Sequence, residues 1–111
     1  MYDLRTTWTV GLRDLAGVPI YRQDAIDAVN KILRSYCIDA YTVVDCAGYW
    51  RGAPEEALQV SVLSVAEYVT NDSELPDDSW AAEAAGCLAK ALNQECVLVE
   101  LAQIQGRLVY P

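Results

Sequence analysis

The run Tyr41-Thr-Val-Val-Asp-Cys-Ala-Gly48-Tyr49-Trp50-Arg51-Gly52-Ala-Pro-Glu55-Glu56-Ala57-Leu58-Gln59-Val60-Ser61-Val62-Leu63 decides the fold. Its first part is rich in β-branched and aromatic residues. Its last part alternates, with Leu58, Val60 and Val62 on one face and Gln59 and Ser61 on the other. Gly48, Gly52 and Pro54 between them supply turn chemistry. Two consecutive strands, residues 38–49 and 57–66, are therefore expected in mid-chain, joined by a turn over 48–54.

Outward from this hairpin the period changes. Upstream, Ile26, Val29, Leu33 and Tyr36 recur at spacings of three, four and three, which predicts a helix over 23–36. Before it, residues 5–12 read as a strand and 14–19 as a connection. Downstream, residues 71–78 form a polar, acidic stretch, followed by a helix from Ser79 with an expected stripe of Trp80, Ala84, Cys87, Leu88 and Ala91. Asp77 or Asp78 would cap it. A last strand is expected over Cys96–Leu101, with a tail at 102–111 that could add a further strand.

The order is β-α-β-β-α-β, and it predicts a single α+β domain over 1–111 with a core at about 5–101. This is the ferredoxin-like arrangement, an antiparallel sheet with both helices on one face. The other face would then be open. Leu63, Val65 and the apolar last strand make that face a candidate surface for a homo-oligomer. Trp8 and Trp80 are expected in the core.

Composition narrows the function classes. Eight Lys and Arg against sixteen Asp and Glu give a net charge of −8, so direct binding to nucleic acid is disfavoured. No stretch has the length and apolarity of a membrane span, and no leader pattern precedes the first strand, so a cytoplasmic protein is expected. Cys37, Cys46, Cys87 and Cys96 lack metal-site spacing and read as buried, reduced thiols, with a Cys46–Cys96 disulfide left open. With no His in the chain, neither a Ser-His-Asp nor a Cys-His arrangement can be built. These features predict a non-enzymatic protein with no metal and no cofactor.

The turn carries the candidate site. Tyr49 and Trp50 could stack on a planar ligand, Arg51 could grip a carboxylate or phosphate, and Glu55 and Glu56 could accept from an amine. The competing reading is structural, with Trp50 packed away and Arg51 paired to Glu55 or Glu56. The expected activity is binding or sequestration of a small anionic or planar ligand. Two alternatives stand beside it: an acidic inhibitor that mimics nucleic acid towards a nucleic-acid-binding protein, and a minor structural part of a larger assembly. The acidic run Asp72, Glu74, Asp77, Asp78 is read as a solvated loop, with a docking patch for a basic partner as its alternative.

The segment 41–52, the Glu55 or Glu56 that leads into the alternating strand, and Leu88-Ala-Lys-Ala-Leu-Asn-Gln94-Glu95-Cys96-Val97-Leu98-Val99 together resemble small phage and bacterial proteins. Those share a G-x-W-x-G hairpin and a glutamine just before the last strand. The resemblance covers about residues 38–100. It implies the ferredoxin-like fold, a phage origin and, with it, the host cytoplasm; for the two alternatives it implies a host defence as the inhibitor's target and a virion-like assembly. It implies no activity.

Overall fold

The computed structural model describes residues 2–65 and 79–111. Its elements run β1 (Tyr2–Gly11), α1 (Arg22–Ser35), β2 (Thr42–Trp50), β3 (Ala53–Ser64), α2 (Ser79–Ala91) and β4 (Leu98–Gly106). The strands form one antiparallel sheet in the order β2-β3-β1-β4. This is the ferredoxin-like α+β fold expected from the sequence. The anticipated cap at Asp77 or Asp78 and the acidic run 72–78 lie outside the described residues.

Strand parity sets the two faces. In β1, Leu4, Thr6, Trp8 and Val10 are buried, and register places Trp8 opposite Val60 and Val10 opposite Leu58. Trp8, Val10, Val60 and Val62, with Val99 of β4 and Val43 of β2, meet Val29 and Leu33 of α1 and Ala81, Ala84, Ala85 and Leu88 of α2. The small residues on α2 let its backbone approach the sheet. The indole N–H of Trp8, itself wholly buried, therefore reaches the carbonyl of Ala81 at 3.0 Å. Trp80 packs edge-on against Trp8 at 5.6 Å between centroids, and Tyr36 lies against Trp80 at 5.9 Å. Both tryptophans thus sit where the sequence places them.

Several boundaries differ from expectation. The turn is only Arg51-Gly52, both at positive φ (51° and 79°), which fits a two-residue type I′ connection. Gly48, Tyr49 and Pro54 belong to the strands. Pro54 is tolerated because β1 stops opposite Ala57, leaving this part of β3 with one neighbour. The expected tail is shorter than read, since residues 102–106 continue β4 alongside the start of β1. All four cysteines are free, but they do not fill the core. Cys37, Cys87 and Cys96 are exposed and Cys46 is half-buried. Cys87 falls outside because the inward line of α2 runs Ala81, Ala84, Ala85, Leu88; Ala91 is exposed for the same reason. Cys37 occupies a left-handed position just past the end of α1. Among the described residues no helix is long and apolar enough to cross a membrane.

Candidate functional site

The face of the sheet away from the helices is not uniformly apolar. Its centre holds Thr7, Thr9, Gln59 and Ser61, with Glu100 opposite Thr7 and Leu98 opposite Thr9. The apolar residues Val44, Leu63 and Leu98 lie towards its margins and are exposed. Beyond Gly11 the β2–β3 hairpin continues without β1. Its tip is tied to the segment before β4 by an ion pair between Arg51 and Glu95. β2 and β4 are three strand spacings apart, roughly 14 Å, and this contact bridges the end of β1 between them. The space so enclosed is a groove of about 910 Å³, within the usual size range for small-molecule sites.

The floor of the groove is built for close approach. Gly11, Ala57 and Gly48 keep it low, and the Glu55 carboxylate lies directly over Gly11. A Cβ at Gly11 would stand 2.4 Å from Glu55 Oε1. Gln94, in the turn after α2, sends its side-chain N–H groups to the carbonyl oxygens of Gly11 and of Arg13, the latter at 3.1 Å. Its own Oε1 is buried and has no partner, and neither has Oγ1 of Thr9. Both residues line the groove. A buried, unpaired oxygen costs about 1–3 kcal/mol, so two in one groove stand out.

Charge on the groove is mostly negative: its lining holds Asp14, Glu55, Glu95 and Glu100 against Arg13. Such a site repels anions and favours cations. Arg51 is engaged by Glu95, and its guanidinium carbon lies 5.7 Å from the centre of the Trp50 ring. The expected pairing of Arg51 with Glu55 or Glu56 is not formed, and a free grip on an anion is not what this arginine offers. Trp50 is 48% exposed on the groove side of the hairpin, and Tyr49 is 79% exposed at its rim. Glu56 has the opposite parity to Glu55 and borders a smaller depression of about 500 Å³ with Leu12, Pro19 and Pro54. Of the expected site residues, Tyr49, Trp50 and Glu55 line the groove, Arg51 meets it only through Glu95, and Glu56 lines the smaller depression, which Tyr49 and Glu55 also border.

Sequence reasoning missed Thr9, Gly11, Glu95 and Glu100. A glycine inside a β-forming run is a signal of close approach, and Gly11 carried it. Gln94 was visible only as part of the resemblance. The others carry no local signal, because their roles come from strands far apart in sequence.

The fold is a four-stranded antiparallel sheet with two helices on one face, and the groove lies on the other. Two solved structures of a phage SAM lyase share that fold. One, in the apo state, is 17% identical with a TM-score of 0.58 over 92% of this chain and 81% of that one. The other, in complex with S-methyl-5′-thioadenosine, is 16% identical with a TM-score of 0.62 over 91% and 81%. No known family profile and no curated protein sequence matches the chain. The likeness establishes the fold. It also corrects the expectation of a non-enzymatic binding protein, together with its inhibitor and assembly alternatives, because an enzyme is built on this fold over nearly its whole length.

Proposed function

We propose that this chain is a lyase that cleaves SAM and releases S-methyl-5′-thioadenosine. The observation that carries the reading is the negative groove, with the Glu55 carboxylate on its floor and Trp50 at its wall, in a fold shared with a SAM lyase. SAM carries a sulfonium and an ammonium against one carboxylate. A groove of this sign suits such a cation, and the exposed indole offers a face for the adenine ring or the sulfonium.

The chemistry explains why the absence of His misleads. The sulfonium is already an activated leaving group: when its bond to the aminobutyryl carbon breaks, the electron pair returns to sulfur and leaves a neutral thioether. A lyase adds no water, so the carbon's new bond must come from within the substrate. Attack by the substrate's own carboxylate oxygen closes a lactone ring and needs no protein base. Opposite charges are annihilated in that step, so a site shielded from bulk water favours it. What the protein must supply is binding and orientation, not a nucleophile. In this reading Glu55 holds the cationic substrate, Trp50 packs on it, and the Arg51–Glu95 pair fixes the hairpin above it.

A phage origin and action in the host cytoplasm, where SAM is available, belong to the same reading. So does self-association through the open sheet face at Leu63 and Val65, both exposed; a single 12.2 kDa species in sedimentation velocity would remove that part. The deciding experiment is incubation of the purified protein with SAM in ¹⁸O-water, followed by mass spectrometry. The expected result is S-methyl-5′-thioadenosine and an unlabelled amino lactone. Glu55→Gln should lower kcat/KM at least about a hundredfold with an unchanged circular dichroism spectrum. No thioadenosine product from the wild-type protein would sink the reading.

A further inference from the structure

We infer that Arg51 and Glu95 form a latch on the groove. The tip of the β2–β3 hairpin is its moving arm, the segment 93–95 is its fixed post, and closing the pair retains the ligand. The ligand is taken from the SAM reading above; the latch itself stands on the geometry of the hairpin.

The arm has strand support on one side only. β1 pairs with β3 as far as Gly11 opposite Ala57, and Leu12 adds one more tie through its N–H to the Glu56 carbonyl at 2.9 Å. Beyond that, residues 53–55 and their partners 48–50 pair with each other alone. A two-stranded ribbon without a third strand is marginally stable. At its turn Arg51 stands in the left-handed region, where Asn, Asp or Gly is the usual residue. An arginine gains nothing from that backbone. What it gains is reach to Glu95.

The post, by contrast, is held firmly. The backbone N–H of Gln94 donates to the Ala89 carbonyl at 2.8 Å, which ties the segment to α2. The Leu15 N–H donates to the Asn93 carbonyl at 2.8 Å, and the Gln94 side-chain amide donates to the carbonyls of Gly11 and Arg13. The glutamine before the last strand therefore fixes the post to the end of β1.

Trp50 connects the latch to the groove. It lines the groove from the arm, and its ring centre lies 5.7 Å from the guanidinium carbon of Arg51 while that group is paired to Glu95. Closing the latch thus sets the indole at the wall. The pair is also weak enough to open, since its side chains are 69% and 46% exposed. An ion pair so solvated shifts an equilibrium by no more than about fivefold. A second ion pair, Arg22 to Asp45 at 2.6 Å, anchors the middle of β2 to the start of α1 and confines the movement to the tip.

The first test uses the ligand-free protein. In Arg51→Gln and in Glu95→Gln alike, the backbone amides of Trp50 and Ala53 should exchange hydrogen about two- to fivefold faster, with those of Trp8 and Val60 unchanged. Combining Arg51→Glu with Glu95→Arg should restore the wild-type rate. Faster exchange throughout the sheet, no change at the tip, or no recovery on charge reversal would overturn the latch, whatever the protein does to SAM. The second test is stopped-flow displacement of S-methyl-5′-thioadenosine. Its dissociation from Arg51→Gln should be about two- to fivefold faster at an unchanged association rate. Arg51 does not line the groove and this ligand is neutral, so neither a lost contact nor steering explains such a change. An equal dissociation rate would overturn the latch and leave the SAM reading standing. Absence of binding to the wild-type protein would count against the SAM reading, and the exchange rates would then decide the latch alone.

Discussion

Gly11 has no side chain of its own, yet it places the Glu55 carboxylate. Its φ is not in the left-handed region, so alanine would meet no backbone strain there, and a strand gains slightly from losing glycine. The new Cβ would instead stand 2.4 Å from Glu55 Oε1 and 2.8 Å from Cδ, both at the end of a flexible side chain. The carboxylate must move and the fold need not. Gly11→Ala is therefore expected to change stability by less than about 1 kcal/mol while lowering kcat/KM for SAM at least about tenfold. A large fall in thermal midpoint, or full activity, would show that the close approach does not position the carboxylate. At this scale the sequence was half legible. Trp50 and Glu55 could be picked out because a hairpin announces itself in fifteen residues. Glu95 could not, because what makes it notable is contact with a residue more than forty positions away, and Gln94, whose partner Gly11 is farther still, was visible only through the resemblance.

The elements were more legible, because periodicity is a local property that burial then uses. The alternation of β3 became a core face as written in the sequence, while the stripe of α1 held at Val29 and Leu33 but buries Ala25 in place of Ile26. Periodicity failed where a small residue and a cysteine competed for the inward line of α2. That rotation comes from tertiary packing, which seats Ala81, Ala84, Ala85 and Leu88 on the sheet and brings the Ala81 carbonyl to the Trp8 indole. The contact between the two helices has a testable electrostatic signature. Tyr36, half-buried at the end of α1, has its hydroxyl pushed up from 10.0 to about 12 by loss of solvent, by its hydrogen bond to Glu83, and by the negative charges of Glu83 and Cys87. A raised pKa means the folded state holds the proton more tightly than the unfolded chain. The stabilisation is thus full below pH 10.0 and lost as pH climbs through about 12. Across that window the thermal midpoint of the wild-type protein should fall more steeply than that of Tyr36→Phe. Parallel profiles would mean that the helix contact does not hold the phenol neutral.

For the molecule as a whole, charge decides more than any single contact. The same net charge of −8 that disfavours nucleic acid should draw in a substrate carrying a net positive charge. The sequence showed this imbalance at once but not its focus, since Asp14, Glu55 and the pair Glu95 and Glu100 come from three separate stretches and meet only around the groove. A groove with low-dielectric walls concentrates such a field, and its reach is set by the Debye length, about 30 Å at 0.01 M salt and about 8 Å at 0.15 M. Across that range kcat/KM for SAM should fall several-fold as added salt screens the attraction. S-methyl-5′-thioadenosine, which is neutral, should inhibit with a constant that barely moves. This contrast separates steering from a general effect of salt on the fold, which would shift both ligands together. A flat or rising kcat/KM would mean that the acidic surface serves solubility alone and that the groove recognises its ligand by shape and short-range hydrogen bonds.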